Sequence, residues 1–172
     1  MNEKELRENF QKVRNGDKEA FAEIFEELKK PVFTICTRIL SDDTAAEDVT
    51  QEVFVKLFIS PPDPSVKNLR AWIFKVARNL SIDALRKKKS LSIEETELAI
   101  DDQFEKVLSR LDVETAMKKL TLDQRQILTL HLNAELKFKE IAEIMNLSQS
   151  AVFRRYKKAL KTLRRFLEVD LL

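Results

Sequence analysis

Apolar residues return along most of the chain at helical intervals, in segments divided by polar breaks. Asp17 is placed to cap a helix whose Phe21, Ile24, Phe25 and Leu28 share one stripe. Pro31 falls inside this pattern and lacks a backbone donor, so a kink is expected before Val32, Ile35, Ile39 and Leu40 resume the stripe. Thr44 and Glu47 have capping-box spacing and predict a helix with Val49, Val53, Phe54 and Leu57 inward. SPPDPS, residues 60–65, ends it as a loop. The next helix is expected from Asn68 to Lys88, with Leu69, Trp72, Ile73, Val76, Leu80 and Leu85 on its inner face.

Periodicity is lost from Lys87 to Gln103, returns at Phe104, Val107, Leu108 and Leu111, and continues to Met117 and Leu120. Thr121 and Gln124 form a second capping-box pattern, opening TLDQRQILTLHLN. Two units follow. KFKEIAEIMN turns Phe138, Ile141, Ala142 and Ile144 inward, and SQSAVFRRYKKALKTLRRFL turns Val152, Tyr156, Leu160 and Leu163 inward. Asn146 suits the turn between them, because Asn tolerates positive φ, and Ser148 caps the second. The expected fold is all-α, with two small helical domains, residues 1–89 and 112–172, joined by a short acidic linker, residues 90–111.

Composition strengthens the helical reading. The 172 residues include one Gly and four Pro, too few turn residues for a β-rich chain. Hydrophobic residues at 44% and charged residues at 35% describe a chain able to build a core. No apolar run approaches the ~18 residues that cross a bilayer. MNEKELRENF lacks the apolar centre of a signal peptide, and a lone Cys36 makes no internal disulfide, so a cytoplasmic location is expected.

Net charge is only +2, yet the charges are segregated. Asp42, Asp43, Glu47, Asp48 and Glu52 form a stretch with no base. Lys67, Arg70, Lys75, Arg78, Arg86, Lys87, Lys88 and Lys89 then surround the single acid Asp83. Glu94 to Asp112 is acidic again, and from Ser148 to Leu167 Arg154, Arg155, Lys157, Lys158, Lys161, Arg164 and Arg165 meet no acid. Two polyanion-binding surfaces separated by acidic segments are implied.

The last two units have the layout of a helix-turn-helix, whose second helix enters the major groove. Gln149, Ser150, Phe153, Arg154 and Lys157 point outward near its start. Gln149 and Arg154 are candidate base readers, since Gln pairs bidentately with adenine and Arg with guanine. Arg155, Lys158 and Lys161 are placed to hold phosphates. A solvated basic helix, or one lying on an acidic partner, is the alternative; the EIAEIMNLS turn favours DNA. His131 and Cys36 have no ligand cluster, and no Gly-rich phosphate loop or nucleophile–base pairing is present. Neither metal, cofactor nor catalysis is expected.

Three segments, AFAEIFEELKKPVFTICTRIL, DDTAAEDVTQEVFVKLF and NLRAWIFKVARNLSIDALRKKK, resemble region 2 of the extracytoplasmic-function (ECF) sigma factors of the sigma-70 superfamily. LTLDQRQILTLHLNAELKFKEIAEIMNLSQSAVFRRYKKALKTLRRFL resembles their region 4, and the order and spacing are the family's. The resemblance implies a factor that binds core RNA polymerase, through the β′ coiled coil and the β subunit, and directs it to promoter DNA. It places polymerase binding on the AEDVTQEVF helix, where Asp48, Gln51, Glu52 and Val55 share a face. It places −10 recognition and strand opening on the following helix. There Asn79 and Asp83, one turn apart, are candidates for base edges, and Arg78, Arg86 and Lys87 for backbone. Lys67 and Asn68 border a candidate base pocket, and Trp72 is either a stacking platform or core. The −35 element falls to Ser148, Gln149, Ser150, Phe153, Arg154, Arg155, Lys157 and Lys158. An anti-sigma factor, often membrane-bound in this family, is a further expected partner.

The sequence departs from its relatives at Lys137, where a Ser or Thr cap is usual, at Asn146, which replaces a glycine, and at Phe153, where a small polar or basic residue is common. Two alternatives to the sigma-factor reading are a standalone helix-turn-helix regulator and a helical adaptor. Neither would form holoenzyme, and only the regulator would share salt-dependent binding to duplex DNA.

Overall fold

The computed structural model describes residues 1–91 and 108–169. These form helices α1 (Glu3–Arg14), α2 (Lys18–Leu40), α3 (Asp43–Ile59), α4 (Leu69–Leu91), α5 (Leu108–Lys118), α6 (Leu122–Leu132), α7 (Phe138–Met145) and α8 (Gln149–Val169), with no strand among the described residues.

Several helix starts have a side-chain acceptor for an amide that the helix itself leaves unpaired. Asn2 and Glu5 make a capping box on α1, Asp17 caps α2 at the Ala20 amide, and Thr121 with Gln124 makes a box on α6. The cap of α3 is Asp42, not Thr44: the Asp42 carboxylate accepts from the Ala45 amide at 3.0 Å, and Thr44 lies within the first turn. An ionised acceptor one residue before the helix takes the position ahead of a hydroxyl inside it. α2 runs through Pro31 as one helix, and ends at Ser41 in the left-handed region with φ 54°.

α2 is the centre of the molecule, packed against α1, α3, α4 and α6. Ile24, Leu28, Val32, Ile35 and Cys36 are fully buried, but Phe25, expected inward, is 37% exposed, and Ala20 takes its place in the core. On α4 the most deeply buried positions are Leu69, Ile73, Phe74, Ala77 and Ser81, whereas Trp72, Val76, Leu80 and Leu85 are half-buried. On α8 the expected Leu160 is 41% exposed, and Ala159 is buried instead. Intervals of four, three and four through Val152, Tyr156, Ala159 and Leu163 hold the inner face within a narrower arc than four, four and three would.

The first helix supplies fastenings that apolar spacing does not announce. Arg7 donates to the carbonyls of Pro64, Val66 and Lys67 at 2.9, 2.8 and 3.2 Å, pinning the proline-rich loop. Glu3 accepts from the Leu69 amide at 2.6 Å at the head of α4.

The two halves of the chain share a core in which Ile127, Leu130, Ala134, Leu136 and Ile141 join residues of α1–α4. α4 continues to Leu91 and α5 begins at Leu108, so both ends of the segment expected as linker are helical. Phe104, Val107 and the acids from Glu94 to Glu105 lie outside the described residues.

Candidate nucleic-acid interface

α7 and α8 pack on each other and on α6 as a helix-turn-helix. Asn146 ends α7 at φ 54° and ψ 46°, the left-handed geometry that Asn accepts at modest cost. The Ser148 hydroxyl accepts from the Ala151 amide at 3.2 Å and starts α8. Lys137 supplies no side-chain cap; Glu140 accepts from the Lys137 amide at 2.7 Å instead.

Ser148, Gln149, Ser150, Phe153, Arg154, Lys157 and Lys158 are all exposed on the first three turns of α8. Arg155 differs: its guanidinium is paired with Asp123 of α6 at 2.6 Å. That contact braces the helix, so the phosphate role foreseen for Arg155 requires the pair to open. Lys161, Arg164 and Arg165 continue the exposed basic face. Below it, His131 stacks on Phe138 at 4.5 Å, and both rings meet Tyr156 at 5.1 Å.

A second polar surface lies on α4. Asn79, Asp83, Arg86 and Lys87 are exposed, and Asp83 faces Arg86 at 3.8 Å. Lys75, one turn before Asn79, extends the stripe; its spacing four residues upstream of Asn79 is the signal the sequence reading left unused. Lys67 is exposed in the preceding loop, and Trp72 is half-buried against the core.

Two of the expected −10 residues are engaged across the seam between the halves. Asn68 caps α4 at the Ala71 amide and donates to Glu140 of α7 at 2.6 Å. Arg78 donates to the buried Gln126 of α6 at 2.6 Å. Burial pushes the Arg78 guanidinium below its ordinary pKa and Arg86 adds to this, while Asp123 opposes it. Arg70 completes the seam by donating to the Ala134 carbonyl at 3.0 Å.

On α3, Asp48, Gln51, Glu52 and Val55 are all exposed. Gln51 and Val55 also border an open apolar groove of roughly 670 Å³ lined by Phe21, Phe25, Phe54, Phe58 and Ile59. Phe25, expected inward, is exposed here with Phe58 and Ile59, and their place beside Val55 makes them part of the same face. Among the described residues no cluster of His, Cys, Asp and Glu could hold a metal, and no helix is long and apolar enough to cross a membrane. Burial raises the Cys36 thiol above its ordinary pKa, although Ser81 and Thr50 oppose the rise.

Two sigma-70 family models match successive parts of the chain. The sigma-70 region 2 family matches residues 24–91, and the sigma-70 region 4 family matches residues 110–163. The ECF RNA polymerase sigma factor SigM of Bacillus subtilis is 30% identical over 151 residues, 82% of this chain and 93% of its own. SigW of the same organism is 26% identical over 93% of this chain and 95% of its own. Two solved structures share the fold. CnrH in complex with the cytosolic domain of CnrY has a TM-score of 0.72 at 21% identity, covering 96% of this chain and 99% of that one. RpoE from Bartonella quintana with the anti-sigma factor NepR has 0.70 at 22%, covering 87% and 98%. The helix order, the helix-turn-helix and these matches together make the chain a member of the ECF family of RNA polymerase sigma factors.

Proposed function

We propose that this chain binds core RNA polymerase through α3, grips the −35 element with α8, and uses the α4 surface to recognise and open the −10 element. It acts in the cytoplasm as an alternative sigma factor, and it is not an enzyme. Residues 1–89 carry polymerase binding and the −10 function, and residues 112–172 carry −35 recognition. The observation that carries the reading is the coexistence, on one helical scaffold, of an acid-edged apolar face on α3 with exposed polar and basic faces on α4 and α8. A standalone DNA-binding regulator needs only the last of these.

The α3 face combines Asp48 and Glu52 with Val55, Phe58 and Ile59, a pairing of charge for orientation with apolar area for affinity. On α4, Asn79 offers base-edge hydrogen bonds while Lys75, Arg86 and Lys87 attract backbone phosphates. A protein of anti-sigma type is the expected regulator, the class of partner present in the solved RpoE complex.

The test adds the purified chain to sigma-free core polymerase and selects transcribed promoters from a random library. Holoenzyme formation and a recurrent two-part promoter are expected. Reversing both charges, Asp48→Lys with Glu52→Lys, should weaken core binding at least tenfold while helicity and melting stay unchanged, because both side chains are exposed. Unaltered core affinity would remove α3 from the interface.

A further inference from the structure

Phe153 occupies a costly position. It lies in the first turns of α8, between Gln149 and Ser150 on one side and Lys157 on the other, and its side chain is 47% exposed. A phenylalanine serving only the fold would be covered, as Val152 beside it is. Phe153 is nevertheless held in place. Its ring meets Phe138 edge-on at 5.6 Å, and the Lys157 ammonium lies 5.6 Å from its centroid. Phe138 is in turn stacked on His131 and tilted against Tyr156, so an aromatic column anchored in α6, α7 and α8 backs the exposed ring.

A braced apolar group on a DNA-reading face has one chemical counterpart in the major groove. Base edges there present donors and acceptors, except at thymine, whose C5 methyl is apolar. A phenyl ring placed over a G·C pair would strip water from the guanine acceptors and the cytosine donor without replacing their hydrogen bonds. Over thymine it covers a methyl group. We propose that Phe153 is a specificity-determining residue of this sigma factor, selecting a T·A pair in the upstream promoter element by contact with the thymine methyl. The inference rests on α8 being the −35 reader. The Lys157 ammonium lies over the ring, so the same contact places a cation beside the adjacent phosphates.

Deoxyuridine differs from thymidine only by that methyl, which makes the test direct. Reconstituted holoenzyme is titrated against a selected promoter in which each upstream thymine, on either strand, is replaced in turn by deoxyuridine. One position is expected to lose about three- to fivefold in affinity, the worth of one buried methyl group. Phe153→Ala holoenzyme should bind the thymine and uracil duplexes equally at that position and should discriminate less against a G·C pair there. The wild-type series needs no variant, so a folding defect in Phe153→Ala cannot hide the result. Uniform tolerance of deoxyuridine, with a normal upstream footprint, overturns the inference and leaves the −35 reading standing. Sensitivity that persists undiminished in Phe153→Ala overturns it as well. Loss of the upstream footprint in the wild type would overturn both.

Discussion

Glu140 accepts from the Lys137 amide at 2.7 Å with one oxygen and from the Asn68 side chain at 2.6 Å with the other, so one carboxylate starts α7 and ties it to α4. Lys137 carries no acceptor of its own, which leaves the helix start dependent on this residue three positions on. Replacing Glu140 by Ala should cost about 2 kcal/mol in urea denaturation, and Glu140→Gln, which keeps a neutral acceptor, less than half of that. Asp42 supplies a pH-dependent counterpart. The Ala45 amide, followed by Lys88, holds its carboxyl below the ordinary 3.8. A depressed carboxyl contributes stability that is complete above the unfolded value and lost as pH falls through the folded one. Asp42→Asn retains the capping oxygen and loses the charge. The stability advantage of wild type over Asp42→Asn should therefore be constant from about pH 7 to about pH 5 and shrink toward about pH 2. A gap that widened on acidification would contradict the assignment.

At the scale of the element, α8 shows how far periodicity reaches. Its existence, its start at Ser148 and its outward polar residues follow from the sequence pattern, because caps and exposed polar residues are local properties. The choice between Ala159 and Leu160 does not. Leu160 is the larger apolar residue, but Ala159 is the one buried with Leu120 and Leu128 where α8 packs on α6. Ala159→Leu should destabilise by about 1–3 kcal/mol through overpacking, and Leu160→Ala should fall within about 0.5 kcal/mol of wild type in the same thermal or urea melts. The reverse order would restore the register first expected. Phe25 follows the same logic on α2: the stripe identifies a helix, but the packing of its neighbours decides which flank is covered. The fastenings made by Arg7 and Glu3 depend on chain segments about 60 residues away, beyond any periodic signal. The residues proposed to face polymerase are legible in the sequence as a shared face on α3. The aromatic groove beside them is not, because Phe25 reads as core until its exposure is seen and Phe58 lies outside the inward stripe of α3.

At the scale of the whole molecule, the seam between the halves sets a condition on function. Asn68 with Glu140, Arg70 with Ala134, and Arg78 with Gln126 join α4 to α6 and α7, and Arg125 of α6 reaches Ser41 at the end of α2 at 3.3 Å. Elements named −10 and −35 lie about 25 base pairs apart, on the order of 80 Å of duplex at about 3.4 Å per step. A compact chain of this length is only about 40 Å across. On the proposed assignment of α4 to −10 and α8 to −35, both elements cannot be held while the seam is closed, and polymerase and DNA would draw the halves apart. The seam suits such opening. It includes an Arg125 Nε that is buried without a hydrogen-bond partner among the described residues, and burial with the nearby Arg38 depresses the pKa of that guanidinium. Closure then lowers the apparent affinity for polymerase by the fraction of molecules already open. Gln126→Met keeps the volume at this buried site and removes the acceptor for Arg78, which shifts the balance toward the open form. The expected result is core-polymerase binding about three- to tenfold tighter, together with a longer separation between fluorophores on α3 and α8 in the free chain. Tighter binding without a change in separation, or a longer separation without tighter binding, would break the link between seam opening and holoenzyme assembly.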